Sequence, residues 1–194
     1  MYSNIKHYIR FFKYITLKKI VNLILIYLSY FISNKKIVFD GKFMPAFISV
    51  EPADFCQLRC PQCPVGINLR RKGNVVDMNL YRKSIDKITK TLLHIIFYFQ
   101  GEPLLNQKLS EMIAYAHTLG IYTSTSTNGQ ALNSERAKEL VLSGLDKLII
   151  SIDGTTQEIY EKYRKGGKLD RAIKAVEHIV YWKKQLKSIS PMIE

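Results

Sequence analysis

From residue 45 onward, short runs of β-branched and aromatic residues alternate with longer stretches whose apolar positions recur every three or four residues. That rhythm predicts βα units around a parallel sheet. Strands are expected at 46–50, 95–99, 121–125 and 147–152, and helices at 79–91, 107–119, 134–142 and 169–185. Leu109, Met112, Ile113 and Ala116 form one helical stripe, and Ile173, Val176, Ile179 and Val180 form another, so each helix can lay an apolar face on a sheet. Asn128-Gly129, Gly144 and Gly166-Gly167 fall at the joints, and Asn133 or Ser134 can cap the third helix. Residues 189–193 resemble the onset of a fifth strand. No fixed-period repeat or low-complexity segment is visible.

The first 33 residues follow a different pattern. Ile5, Ile9, Phe12, Ile15 and Ile20 recur near helical spacing among Lys6, Arg10, Lys13, Lys18 and Lys19, predicting one or two helices. Residues 20–32 are then almost continuously apolar, broken by Asn22 and Ser29. Thirteen helical residues reach only ~20 Å, short of a bilayer's ~30 Å hydrocarbon core, so the run is expected not to span. It reads either as a helix packed on the following domain or as an interfacial helix with Lys and Arg against headgroups, giving weak membrane-surface contact through residues 1–33. The expected division is a basic, apolar helical extension over 1–44 and a core domain over 45–194.

With 194 residues, 47% of them hydrophobic, the chain can bury one good-sized core and is not a disordered tail. The formal charge is +13, and residues 1–45 carry eight Lys or Arg against one acid, or +7, leaving +6 for the rest. No aromatic RNA motif, zinc finger or recognition-helix signature accompanies this excess, so no nucleic-acid partner is expected. The three cysteines lie within eight residues, and no signal peptide opens the chain. A disulfide framework is therefore not expected, and a reducing cytosol, with peripheral membrane contact as an option, fits better.

Those cysteines form Cys56-Gln57-Leu58-Arg59-Cys60-Pro61-Gln62-Cys63, a CxxxCxxC run just after the first predicted strand. Thiolates clustered this closely suit iron-sulfur or zinc. A structural zinc site and a ferredoxin-type cluster each call for four protein ligands, yet there is no fourth cysteine, and His7, His94, His117 and His178 are all at least thirty residues away. Three thiolates leave one iron of a cluster open, which is a defect in an electron carrier and an opening in an enzyme.

CxxxCxxC after the first strand of a βα fold resembles the radical S-adenosylmethionine (SAM) superfamily. The resemblance covers residues 45–193 and implies an α/β partial barrel with about four of six βα units present, an incomplete core truncated at the carboxyl end. It implies a [4Fe-4S] cluster on Cys56, Cys60 and Cys63, completed by SAM and reduced by a donor such as flavodoxin or ferredoxin. Gln100-Gly101-Glu102-Pro103, after the second strand, is similar to the family's GGEP element. There Gly101 would let the backbone approach the ligand, and Glu102 would meet the methionine amino group. Ser126-Thr127-Asn128-Gly129 and Ser151-Ile152-Asp153-Gly154 follow the next two strands and resemble SAM-facing segments. With Pro103, Thr127, Ser151 and Asp153 they complete the expected cofactor-binding set. For Asn128-Gly129 alone, a turn reading is the better one.

These constellations sit at the carboxyl ends of successive strands, where parallel βα folds build sites. The connections at 74–78 and Gly144-Leu145-Asp146, assigned to the opposite edge, show no comparable set. Two departures stand out: Gln100 replaces a glycine, and Gln62 replaces the aromatic or apolar residue that packs near adenine in the family. Arg59, Arg70, Arg71 and Lys72 read as a solvated loop. Tyr98 and Phe99 read as core strand residues, His94 and His117 as satisfied or exposed histidines, and Trp182 as a packing residue. Taken together, GEPLLN, SIDG and the Cys-Pro pairs resemble the SPASM-type branch, whose members modify peptides or other biosynthetic intermediates. The function implied is reductive cleavage of SAM to start radical chemistry on an unidentified substrate. The alternative is a non-catalytic iron-sulfur or membrane-associated interaction protein.

Overall fold

The computed structural model describes residues 10–33, 43–67 and 73–194. Ile5, Lys6, His7, Ile9 and the run Arg70, Arg71, Lys72 lie outside them. In chain order the elements are α1 (Leu17–Ile32), β1 (Phe47–Ser49), α2 (Met78–Ile88), β2 (His94–Ile96), α3 (Leu109–Thr118), β3 (Tyr122–Thr127), α4 (Ser134–Leu142), β4 (Lys147–Ile150), α5 (Gln157–Tyr163), α6 (Leu169–Gln185) and β5 (Met192–Ile193).

All five strands are parallel and lie in sequence order, β1-β2-β3-β4-β5. Each crossover therefore adds the next strand to the same growing edge. That is how a βα barrel winds, whereas a doubly wound sheet reverses direction. Ile95 and Leu148 from the strands, with Phe97, Ile121 and Leu145 flanking them, meet Ile85, Met112, Ile113, Ala116, Leu140 and Ile179 from the helices in one buried core.

The expected helices at 134–142 and 169–185 match α4 and α6, and the other elements shift by a few residues. β2 ends three residues early: the Phe97 amide still reaches Ser124 O at 2.7 Å, but the Tyr98 carbonyl accepts the Ser49 hydroxyl at 2.7 Å and the chain then leaves the ladder. α5 was not anticipated. Its seven residues are too few to show a period, and it is announced only by its cap, Thr156 Oγ1, which accepts from the Ile159 amide at 3.3 Å.

β3, Tyr-Thr-Ser-Thr-Ser-Thr, is polar and yet central. It is stable there because its hydroxyls have partners. Thr123 reaches Asp146, Ser124 meets His94 Nε2 at 2.8 Å, and Thr125 donates to Phe97 O at 2.9 Å. Ser126 faces Ser151 at 3.5 Å, and Thr127 donates to Glu102 at 2.6 Å. Among the described residues no buried side-chain nitrogen or oxygen lacks a hydrogen-bond partner.

The amino edge of the sheet carries a polar cluster, contrary to the expectation that it would show none. Fully buried Asp146 accepts from the Thr123 amide at 3.0 Å and the Tyr14 hydroxyl at 2.7 Å, and pairs with Arg10 Nε at 2.7 Å. Burial and this carboxylate together push the Tyr14 phenol up to about 12. Residues 74–78 are not on that edge. They lie against the cysteine-bearing loop at the carboxyl edge, with Asp54 N donating to Asn74 O at 3.0 Å and Val76 N to Pro52 O at 2.9 Å.

The amino-terminal segment closes the amino edge. Lys19 Nζ donates to Gly120 O at 2.6 Å, Asn22 exchanges two hydrogen bonds with the Met44 backbone, and Phe11 and Tyr14 stack edge-on against Tyr122. No helix among the described residues is long and apolar enough to cross a membrane.

Candidate active site

The cysteine loop leaves β1 and is laced to the loop after β2. Glu51 Oε1 accepts the amides of Gln100 at 3.0 Å and Gly101 at 2.9 Å, the Glu102 amide donates to Phe55 O at 2.9 Å, and Asn106 Nδ2 donates to Pro52 O at 2.9 Å. A Cβ on Gly101 would lie 1.9 Å from the Ala53 carbonyl oxygen. The close approach between these two loops itself requires glycine, beside the approach to a ligand expected from sequence. Gly66 plays the same part within the cysteine loop, where a Cβ would meet Cys60 O at 2.2 Å.

Within that loop Leu58 is buried as an anchor, and Cys63 N donates to Cys60 O at 3.1 Å, closing a turn that brings the two sulfurs to one side. Cys56 Sγ accepts from the Leu58 amide and from Asn128 Nδ2, each at 3.4 Å, and Cys63 Sγ lies 3.9 Å from Gln100 O. Burial pushes the Cys56 and Cys60 thiols up, with Leu58 and Asn128 opposing it at Cys56 and Arg164 at Cys60. Such thiols stay protonated at neutral pH until a cation replaces the proton.

Cys56, Cys60 and Cys63 line one cleft with Gly101, Glu102, Thr127, Asn128, Ser151 and Arg164 at the carboxyl ends of the strands. Among the described residues no three His, Cys, Asp or Glu side chains are placed to share a single metal ion. A cluster asks for something else, namely soft thiolates around one cavity, each facing its own iron, with hydrogen bonds to the sulfurs. The donor set here has that character, and the residues present fit a [4Fe-4S] cluster.

Glu102 is buried beneath the cleft. Its carboxylate accepts from Thr127 Oγ1 at 2.6 Å, Asn128 N at 2.9 Å and Leu104 N at 3.1 Å. Burial pushes its carboxyl above the usual carboxylate range, and the three donors work against that. Glu102 thus ties the loop after β2 to the end of β3.

The cleft gathers Cys56, Cys60, Cys63, Gly101, Glu102, Thr127 and Ser151, seven of the residues expected from sequence. Pro103 lies beneath it as the first residue of a short 3-10 turn, and Asp153 reaches it only through its ion pair with Arg164. Phe99 is a correction: it is 67% exposed and lines the cleft with Tyr98 instead of joining the core, because β2 ended at Ile96. The expectations for His94 and Trp182 held. His94 is paired with Ser124, and Trp182 donates to Ser134 Oγ at 2.9 Å.

Three residues escaped the sequence reading. Glu51 stands just after the first predicted strand, at the edge where the other site segments lie, but belongs to no motif. Asn128, read as a turn, also donates to a cysteine sulfur. Arg164 follows the unforeseen α5, so nothing local marked it.

The model of the Radical SAM superfamily matches residues 50–180. The PqqA peptide cyclase of Bradyrhizobium diazoefficiens is 26% identical over 119 residues, covering 61% of this chain and 31% of its own length. SuiB of Streptococcus suis, solved bound to S-adenosylmethionine and bound to precursor peptide SuiA, matches with a TM-score of 0.63 and 18% identity over 77% of this chain and 33% and 32% of its own. The anSMEcpe structure with bound AdoMet matches with a TM-score of 0.59 and 22% identity over 72% of this chain and 42% of its own. The chain therefore spans less than half the length of each of these proteins.

Proposed function

The chain belongs to the radical SAM superfamily, and from that membership we propose that it binds a [4Fe-4S] cluster and SAM and starts radical chemistry on a peptide. The observation that carries the proposal is the convergence of three cysteines, separated from one another by loop geometry, with Glu102, Thr127 and Ser151 in one cleft at the carboxyl edge.

When bound, the reduced cluster would supply one electron to the sulfonium of SAM, whose cleavage gives methionine and a carbon radical that takes hydrogen from substrate. Cys56, Cys60 and Cys63 hold the cluster, and Asn128 orients Cys56. Glu102 and Gly101 meet the methionine amino group, since the Glu102 carboxylate has lone-pair capacity beyond its three donors. Thr127 and Ser151 offer hydroxyls, and Pro103 fixes the turn that aims Glu102. Asp153 acts by holding Arg164 against the cleft. Phe99 offers the aromatic surface for adenine that Gln62 does not. A flavodoxin- or ferredoxin-type donor completes the scheme. A peptide substrate is supported by two relatives, one whose name is that of a peptide cyclase and one solved with a precursor peptide.

The test is 5'-deoxyadenosine formation from SAM by the anaerobically reconstituted, dithionite-reduced protein. Formation that is lost in Cys60→Ala is expected. A protein that assembles four irons and forms none would favour the non-catalytic alternative.

A further inference from the structure

Helix α1 is turned inside out. Its buried side carries Lys19 and Asn22, and these polar groups fix its rotation through Gly120 O and the Met44 backbone. At 100° per residue, the opposite side runs from Ile20 through Ile24, Leu17 and Leu28 to Val21 and Leu25, an unbroken apolar arc of roughly 140°. Those six side chains are 40–76% exposed. Phe31 and Ile32 continue the arc at the carboxyl end and are also exposed. No charged residue falls within it, and Lys18 stands at its border. A contiguous apolar strip this long on a soluble surface marks an interaction site.

We propose that this outer face of α1 lies in the interfacial plane of an anionic lipid bilayer and carries the protein at the membrane surface. The charge that flanks it along the chain favours that occupant. Residues 1–45 hold eight Lys or Arg and one acid; Arg10 is taken up by Asp146 and Lys19 is turned inward, but Lys18 at the border of the arc is exposed, so anionic headgroups complement this basic segment and a second copy of it does not. The helix is ~24 Å long, too short to cross the hydrocarbon core and suited to lying along it. Tyr27, exposed, borders the arc beside Ile20, and tyrosine favours the headgroup level. An apolar groove lined by Leu23, Ile26, Met44 and Phe47 opens beside the helix and offers room for acyl chains. Because α1 docks on the amino edge of the sheet, the cleft at the carboxyl edge faces away from the bilayer and stays open to a soluble peptide and electron donor.

The test uses the full 194-residue chain without iron or SAM, so its outcome is independent of the proposed chemistry. Co-sedimentation with phosphatidylcholine vesicles containing about 30% phosphatidylserine should show binding at least roughly tenfold tighter than to pure phosphatidylcholine, weakening as salt is raised. The double variant Ile24→Glu, Leu28→Glu changes exposed side chains only and should lose vesicle binding while keeping the wild-type thermal midpoint. Equal binding by that variant, or no preference for the anionic vesicles, overturns the proposal. So does a chain that ignores vesicles, whether it is a monomer or forms a dimer that the same substitutions dissolve.

Discussion

Replacing Glu102 with alanine separates what this residue does for the fold from what it does for a ligand. The carboxylate is buried and serves three donors: the Thr127 hydroxyl at 2.6 Å and the amides of Asn128 at 2.9 Å and Leu104 at 3.1 Å. A buried donor left without an acceptor costs about 1–3 kcal/mol. Water entering the vacated space would satisfy part of this, and the variant no longer buries the carboxylate whose desolvation raises its pKa. The net loss expected is ~2–4 kcal/mol, which for a chain of this size lowers the thermal midpoint by roughly 5–15 °C. Glu102→Gln keeps one oxygen acceptor and should fall by about half as much. The assay is thermal unfolding of the three proteins without SAM, followed by SAM affinity of the reconstituted proteins at a temperature where all are folded. There Glu102→Ala should lose a further ~1–3 kcal/mol of SAM binding, the worth of one charge-assisted hydrogen bond. A midpoint within about 1 °C of wild type would refute the tie between β2 and β3, and unchanged SAM affinity would refute the ligand role.

Three further outcomes are expected. Gly101→Ala, whose Cβ would lie 1.9 Å from Ala53 O, should destabilise the protein by on the order of 3 kcal/mol in denaturant titration, since the clash is with backbone that cannot swing away. His94 has its pKa lowered to about 4 by burial and then by Lys147. Its folded-state value lies below the unfolded one, so stability should be full above pH ~6.5 and fall through ~4 as the buried ring is forced to charge. His94→Asn should remove up to about 2 kcal/mol of that acid loss between pH ~7 and pH ~5, seen by comparing urea midpoints at the two pH values. Asn128→Ala removes a donor to Cys56 Sγ and should shift the cluster potential downward, because fewer hydrogen bonds to sulfur leave more electron density on the iron. An unshifted potential would make Asn128 a turn residue only.

The carboxyl-edge site was legible because its parts are local: CxxxCxxC, GEP and the hydroxyl-bearing strand ends each fall within three to eight residues. The amino-edge cluster was not, since Tyr14 and Arg10 meet Asp146 across more than 130 positions and Asp146 alone resembles an ordinary turn residue. The extent of β3 was underestimated at its carboxyl end for a related reason. Ser126 and Thr127 have no strand-forming pattern of their own, and the Glu102 carboxylate that pairs Thr127 belongs to another unit. Phe99 was misread because apolar patterning cannot show where a strand leaves its ladder. α1 illustrates the converse: its apolar run was plain, but only Lys19 and Asn22 facing inward reveal that the run faces outward.

The central claim is that Cys56, Cys60 and Cys63 hold a four-iron cluster with one site open to SAM. Electron paramagnetic resonance of the reconstituted, reduced protein with and without SAM tests it most directly. The account predicts about four irons per chain, a reduced-cluster signal that SAM perturbs, and no signal from Cys60→Ala. A protein that holds one zinc and takes up no iron, or a cluster signal indifferent to SAM, would contradict it.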